Sequence, residues 1–325
     1  MANIDGFRRH GGRLAAAKAA FPDAPSPWLD LSTGINPDPW RGPRARVSDL
    51  RRLPDPYAVA ALEAAAAGAF GADPACVAAV AGAEAGLRLL PHLTGAASVA
   101  IVSPTYGAHA DAWRNAGKKV SGIALAEAGV SHAEALVVVN PNNPDGVRCA
   151  PASLVDGRRW LIVDESFAET VPDLSVAGAA LQRTIELRSF GKFYGLPGAR
   201  LGFIVAEPGV AARTRALVGD WPVSADAIAL GTAAYADAAW RRAAVSKLTN
   251  AAERLDALLI DAGFTSAGGT TLFRLTRSAD AARRFAILAS HGVLTRPFAH
   301  DPTLLRFGLP GRGGWVRLTA ALRRL

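Results

Sequence analysis

Two runs of uninterrupted apolar residues, Ala135-Leu-Val-Val-Val139 and Trp160-Leu-Ile-Val just before Asp164, constrain this chain more than any other feature. A strand covered on one face alternates apolar and polar residues, whereas a run without alternation must be covered on both faces. Ser98-Val-Ala-Ile-Val-Ser103 reads the same way, and Cys76-Val-Ala-Ala-Val-Ala is a small apolar strand before a turn at Gly82. Helical stretches separate the strands, after Gly82 and from Ala108 to Ala116, and a further strand is expected over Lys119 to Ala124. Strand and helix in alternation predict an α/β protein with a mostly parallel, doubly wound sheet whose chemistry gathers at the strand ends.

The alternation stops after Phe203-Ile-Val-Ala. Ala211 to Val218 and Ser224 to Ala262 carry helical spacing. Thr270 to Leu275, a helix at Ala279 to His291, Gly292 to Arg296, Leu304 to Leu309 and a terminal helix then predict a smaller α+β lobe. A chain of 325 residues is long for one core. The expected division is a large domain over 26–215, with 1–25 and 216–325 forming an N-terminal arm and a small domain.

The formal charge of +8 suits an anionic substrate and also permits nucleic-acid binding. Lys and Arg are scattered, however, in pairs such as Arg8-Arg9 and no long basic run, so a small anion is expected and nucleic acid is not. Cys76 and Cys149 form no motif with each other or with histidines. Neither a disulfide framework nor a metal site is expected, and a reducing cytoplasm is the simplest compartment. No apolar run has membrane-spanning length, and the first ten residues lack the apolar core of a signal peptide.

Four strand ends carry unusual residues. Tyr106 follows the first and Asn143 lies in the turn Asn140-Pro-Asn-Asn-Pro-Asp-Gly146 after the next. Asp164 ends the third, and Ser189 and Lys192 lie in the turn that ends Thr184 to Arg188. Lys192 among Phe190, Phe193, Tyr194 and Leu196 would lose hydration, which frees an amine for imine chemistry. Arg200, eight residues on, offers a planar fork for a phosphate. Taken alone, this pair reads equally as surface residues flanking a hairpin turn. Together the strand ends match what pyridoxal 5′-phosphate needs: Tyr106 to stack on the ring, Asn143 to donate to the phenolic oxygen, and Asp164 to keep the ring nitrogen protonated. The turn at Ala83 and Glu84 opens a helix whose backbone amides can face the phosphate.

Substrate groups are expected elsewhere. His10, Gly11 and Gly12 precede a helical stretch, and their amides can approach an anion or form an ordinary flexible arm. Gly34 and Asn36 lie in the turn ending Trp28-Leu-Asp-Leu-Ser-Thr-Gly-Ile-Asn-Pro37, where Asn36 either faces a ligand or caps the turn. Arg306 sits mid-strand among apolar residues, as a rim residue or, with Arg296, as a carboxylate clamp.

These residues resemble the class I/II aminotransferase family of fold-type-I pyridoxal phosphate enzymes. The turn Asn140 to Gly146, the pair Asp164-Glu165, and Ser189-x-x-Lys192 with Arg200 carry the resemblance, which covers almost the whole chain. Within the family the chain looks closest to the branch shared by histidinol-phosphate aminotransferase and the threonine-phosphate decarboxylase of cobalamin biosynthesis. The arm from His10 to Pro37, the segment Lys192 to Gly202, and Phe167 where the aminotransferases usually place a Tyr favour the decarboxylase. The resemblance implies decarboxylation of O-phospho-L-threonine, with amino transfer from histidinol phosphate as the alternative, in a homodimer. Two departures stand out: Leu53 replaces a Tyr that reaches the neighbouring subunit's phosphate site, with Tyr57 at the wrong offset, and Ala83 replaces a Ser or Thr.

Overall fold

A computed structural model describes residues 5–42, 51–179 and 181–325. Residues 1–4, the start of the segment read as lacking a signal peptide, lie outside them. Packing divides the chain into two units. One comprises the chain up to Pro39, Pro144–Gly146 and Ala243–Leu325; the other comprises Trp40–Asn143 and Val147–Arg242. These boundaries differ from those expected at 25/26 and 215/216. Leu29–Asp30 pairs in parallel with Val293–Leu294, which draws the early chain into the first unit. Helix Ala225–Ala236 packs along helix Pro56–Phe70 and so belongs to the second.

The second unit holds a seven-stranded sheet. Its order across the sheet is Val77–Val80, Gly202–Ala206, Thr184–Ser189, Trp160–Asp164, Ala135–Val139, Ser98–Val102 and Lys119–Ile123. Gly202–Ala206 alone runs antiparallel to its neighbours. The uninterrupted apolar runs occupy the middle, and alternate side chains feed two cores. Val137, Ile162, Ile185 and Leu187 pack with helices Ala83–Thr94 and Ala108–Asn115, while Leu136, Val138, Leu161 and Val163 pack on the other face with Ala128 and Val176. Each such side chain removed from water contributes roughly 1.5–3 kcal/mol. Both faces are needed.

Local signals set the helix ends. Helix Pro56–Phe70 starts with Asp55 accepting the Tyr57 N–H at 2.7 Å and proline at its first position, and ends at Gly71 in the left-handed region. The long helical stretch expected from Ser224 breaks at Asp237, which accepts the Trp240 N–H at 3.0 Å and the Trp40 Nε1–H at 3.1 Å. No helix among the described residues is long and apolar enough to cross a membrane.

The first unit carries an antiparallel sheet ordered Arg296–Pro297, Leu304–Gly308, Phe273–Arg277, Thr265–Thr270. The strand expected over Thr270 to Leu275 is in fact a hairpin corner. Thr270 ends one strand and Phe273 begins the next, because the Thr270 hydroxyl accepts the Leu272 N–H at 3.1 Å and turns the chain. The preceding Gly268-Gly269 pair, with φ of 113° and 143°, hides the earlier strand from propensity. Its partner is Gly146, where a Cβ would stand 1.9 Å from the Gly269 carbonyl oxygen, so only glycine lets the two backbones meet.

Candidate active site

In the second unit, sheet register brings the predicted residues to one edge. Val139 lies opposite Asp164, and Asp164 opposite Leu187, so the Asn140 turn, Asp164 and the Ser189 turn follow neighbouring parallel strands. The asparagine turn is rigid because two of its asparagines are spent on it. Asn140 exchanges two hydrogen bonds with the Cys149 backbone, and Asn142 accepts the Thr105 hydroxyl at 2.7 Å while donating to the Pro104 carbonyl at 3.0 Å. Asn143 follows, half-buried.

Asp164 is buried and points to the face of Ile162, where helix Ala108–Asn115 lies. His109, fully buried on that helix, donates Nε2–H to Asp164 Oδ2 at 3.0 Å, and the Ser166 N–H donates to Oδ1 at 3.0 Å. Burial pushes the Asp164 carboxyl up, but the hydrogen bond and charge of His109, the charge of Lys192 and the Ser166 contact outweigh it and bring the value down to about 2. Sequence reading missed His109. Its only signal was a histidine three residues after Tyr106, in the first turn of the helix that follows.

Lys192 lies in the short helix Phe190–Phe193, half-buried, with Nζ donating to Ser189 Oγ at 3.3 Å. The rings expected around it are mostly elsewhere. Phe190, Phe193 and Tyr194 are buried in an aromatic cluster with Tyr235 and Trp240, including a Phe190–Tyr194 stack at 4.7 Å. A helical turn sends residues flanking the lysine to its far side. The ring that meets the ammonium is Phe167, 5.2 Å from Nζ to centroid.

Helix Ala83–Thr94 begins after Gly82, which has no side chain to cap the first amides. The Arg200 guanidinium, itself only a donor, fills the space where that side chain would start: a Cβ at Gly82, φ 89°, would stand 2.6 Å from Arg200 Nη2. Arg200 itself adopts φ 51°, an uncommon conformation for a residue with a side chain, and donates Nη1–H to the Pro197 carbonyl at 3.2 Å. A bare helix N-terminus facing a guanidinium is a cradle for a phosphate. Beside it, Tyr106 donates its hydroxyl to Glu84 Oε2 at 3.1 Å, and Arg88 holds Glu84 Oε1 at 2.7 Å. The cradle, the half-buried Tyr106 ring, the ionised Asp164 and the Lys192 amine fit a planar, phosphorylated aromatic aldehyde.

In the first unit, Arg306 is buried in strand Leu304–Gly308 directly opposite Arg296. It lies over the Phe273 ring at 4.7 Å and donates to the Ser32 carbonyl at 3.0 Å. Burial, then Arg296, presses its proton affinity well below the usual range, so an anion is the ligand that would relieve this pair. Arg296 in turn donates to the Arg9 carbonyl at 3.1 Å, beside exposed His10. The arm is less open than its glycines suggested. Gly11 packs on the Ser32 backbone, and the Gly12 N–H is committed to Ser32 Oγ at 2.7 Å. Gly34 is buried, and Asn36 accepts the Asp38 N–H at 2.9 Å, which makes it a turn-former.

Known proteins resemble this chain over most of its length. The chain is 39% identical over 324 residues to the threonine-phosphate decarboxylase of Pseudomonas aeruginosa, covering 96% of each chain. It is 39% identical over 327 residues to the threonine-phosphate decarboxylase of a Sinorhizobium species, covering 97% of this chain and 98% of that one. The crystal structure of histidinol-phosphate aminotransferase from Sinorhizobium meliloti in complex with pyridoxal-5′-phosphate has the same fold. It aligns with a TM-score of 0.76 at 23% identity, over 85% of this chain and 83% of that one. The model of aminotransferase class I and II matches residues 26–323, a span that takes in every strand of the seven-stranded sheet and the Arg296–Arg306 pair. The chain belongs to the aminotransferase class I and II family.

Proposed function

We propose that the protein is a pyridoxal phosphate-dependent decarboxylase that converts O-phospho-L-threonine to (R)-1-amino-2-propanol phosphate in cobalamin biosynthesis. The observation that carries this reading is the near full-length similarity, at 39% identity, to two proteins named threonine-phosphate decarboxylase. Phe167 and the pair of buried Arg306 with half-buried Arg296 support it from within the chain.

When bound, pyridoxal phosphate supplies a pyridinium ring that accepts the electron pair of a bond breaking at the substrate's α carbon. The chain's residues do the rest. Lys192 would hold the cofactor covalently, and as the ammonium freed by substrate it would return a proton to the α carbon. Asp164, ionised over the whole working range, keeps the ring nitrogen protonated. Tyr106 would stack on the ring, and Asn143 would donate to its phenolic oxygen, with Phe167 adding no hydroxyl there. The Ala83 and Glu84 amides, Ser189 and Arg200 take the phosphate, which makes up for the missing hydroxyl at Ala83. Arg306 and Arg296 bind the substrate's anionic groups, with His10, Gly11, Gly12, Gly34 and Asn36 shaping the segment against which Arg306 rests.

The test is direct. Purified protein with cofactor should release CO2 from O-phospho-L-threonine with no keto acid present. Glutamate formed from histidinol phosphate and 2-oxoglutarate, without CO2 from phosphothreonine, would convert the reading to amino transfer.

The same reading makes the protein a cytoplasmic homodimer; its thiols, Cys76 and Cys149, are free. Leu53 and Tyr57 are 67% and 87% exposed at the start of helix Pro56–Phe70. Leu53 lines an apolar groove of about 580 Å³ together with Ala58, Ala61, Ile228 and Ala229. Large apolar side chains exposed beside such a groove suit an interface, here with a second copy. Sedimentation at micromolar concentration should show twice the 33.7 kDa of one chain, and a persistent monomer sinks the dimer.

A further inference from the structure

We infer that Arg188 is a positioning residue whose guanidinium grips both ends of the Glu165–Glu169 segment and thereby sets the Phe167 ring against the Lys192 ammonium. Arg188 lies on strand Thr184–Ser189, four residues before Lys192, and is buried. Its Nη1–H donates to Glu165 Oε2 at 2.5 Å, and its Nη2–H donates to Glu169 Oε1 at 2.8 Å. Phe167 is the midpoint between those two carboxylates, and its ring centroid is 5.2 Å from Lys192 Nζ.

The surroundings favour a positioning role. The ladder between the two strands ends at Asp164 opposite Leu187, and the Glu165 N–H reaches the Leu187 carbonyl at 2.9 Å. From there the chain leaves the sheet as a turn and a short helix at Ala168–Thr170. The guanidinium reaches across to both flanks of that excursion. The Ser175 hydroxyl donates to the same Glu165 Oε2 at 2.6 Å and the Val176 N–H to Oε1 at 2.8 Å, so the near flank cannot swing. Arg188 also rests on the Phe70 ring at 4.4 Å. Two carboxylates on two different nitrogens require a planar fork, which a lysine lacks. A nearby fourth charge is suppressed, since burial and then Glu165 drive the Glu186 carboxyl toward its neutral form. Such a buried ionic cluster is a poor way to gain stability compared with apolar packing, so a geometric duty accounts for it better.

The inference rests on Lys192 being the amine that holds the cofactor, yet it is testable without cofactor. An ammonium over a ring face is favoured, so displacing the ring lowers the proton affinity of Lys192 and speeds its reaction with amine reagents. In apo-protein near neutral pH, Lys192 acylation read by mass spectrometry should be about two- to tenfold faster in Phe167→Leu than in wild type. Arg188→Lys, which keeps the charge, should show the same increase. The double variant should be no faster than Phe167→Leu alone, because both remove one interaction. If Arg188→Lys does not fold by circular dichroism, Glu169→Asp keeps the charge, shortens the reach and should behave likewise. Wild-type labelling in the foldable Arg188 or Glu169 variant, or additive effects in the double variant, overturns the inference. Separately, a wild-type protein that develops no visible cofactor band overturns the cofactor reading and leaves the labelling result to stand by itself.

Discussion

Replacing Lys192 by alanine is expected to abolish the visible band of cofactor-loaded protein and to slow decarboxylation by about 10²- to 10⁴-fold or more. The size of the effect follows from two duties on one nitrogen. On the proposed reading, Nζ is the covalent attachment point and also the group that returns a proton to the α carbon. The variant should still retain cofactor. Arg200 packs at Gly82 independently of the lysine, and Ser189 keeps its place at the end of strand Thr184–Ser189, so the proposed phosphate anchors are untouched. Absorption spectra before and after gel filtration, with borohydride trapping and mass spectrometry of the lysine peptide, separate attachment from binding. A Lys192→Ala protein that keeps the band, or a trapped adduct on another lysine, refutes the assignment.

Much of this arrangement can be read in the chain because parallel sheets leave a loud signature. The runs at Ala135–Val139 and Trp160–Asp164 have no polar face, and their ends place Asn143, Asp164 and Lys192 on adjacent strands before any contact is known. What the sequence conceals is face and direction. His109 reads as one more helical residue, and only the alternation that sends Ile162 and Asp164 to the same face brings it to the carboxylate. The rings next to Lys192 in sequence turn away from it, and Phe167, from the turn after strand Trp160–Asp164, meets it. Arg188 looked like an ordinary strand residue because its partners lie about twenty positions upstream.

The charge of +8 has a partly structural explanation that no motif announces. Arg213 donates to the His92 and Leu93 carbonyls at 3.1 Å each, near the end of helix Ala83–Thr94. Arg241 does the same for Ala69 at 3.2 Å and Arg284 for Ala262 at 2.8 Å. Cations at helix C-termini satisfy carbonyls that the helix leaves open and complement its dipole.

Asp164→Asn should be the most damaging substitution that leaves the lysine in place, slowing decarboxylation on the order of 10²-fold with little change in binding. The carboxylate is ionised above about pH 2 because His109, Lys192 and Ser166 together overcome its burial. Its charge is thus present at every working pH, and the loss in the asparagine variant should be nearly independent of pH. The sign for stability follows from the same values. The folded value lies below the ordinary 3.8, so the carboxylate stabilises the fold above that pH, and the contribution is lost as pH falls through about 2. His109→Phe separates the two partners. It removes the Nε2–H donor and leaves burial less opposed, so the Asp164 value rises and the acid limb of kcat/KM moves toward neutrality, while activity at high pH stays closer to wild type. Profiles of kcat/KM against pH for the three proteins check both claims. An Asp164→Asn enzyme as fast as wild type removes Asp164 from the ring nitrogen. An acid limb unmoved in His109→Phe means that His109 packs beside the carboxylate without governing its charge.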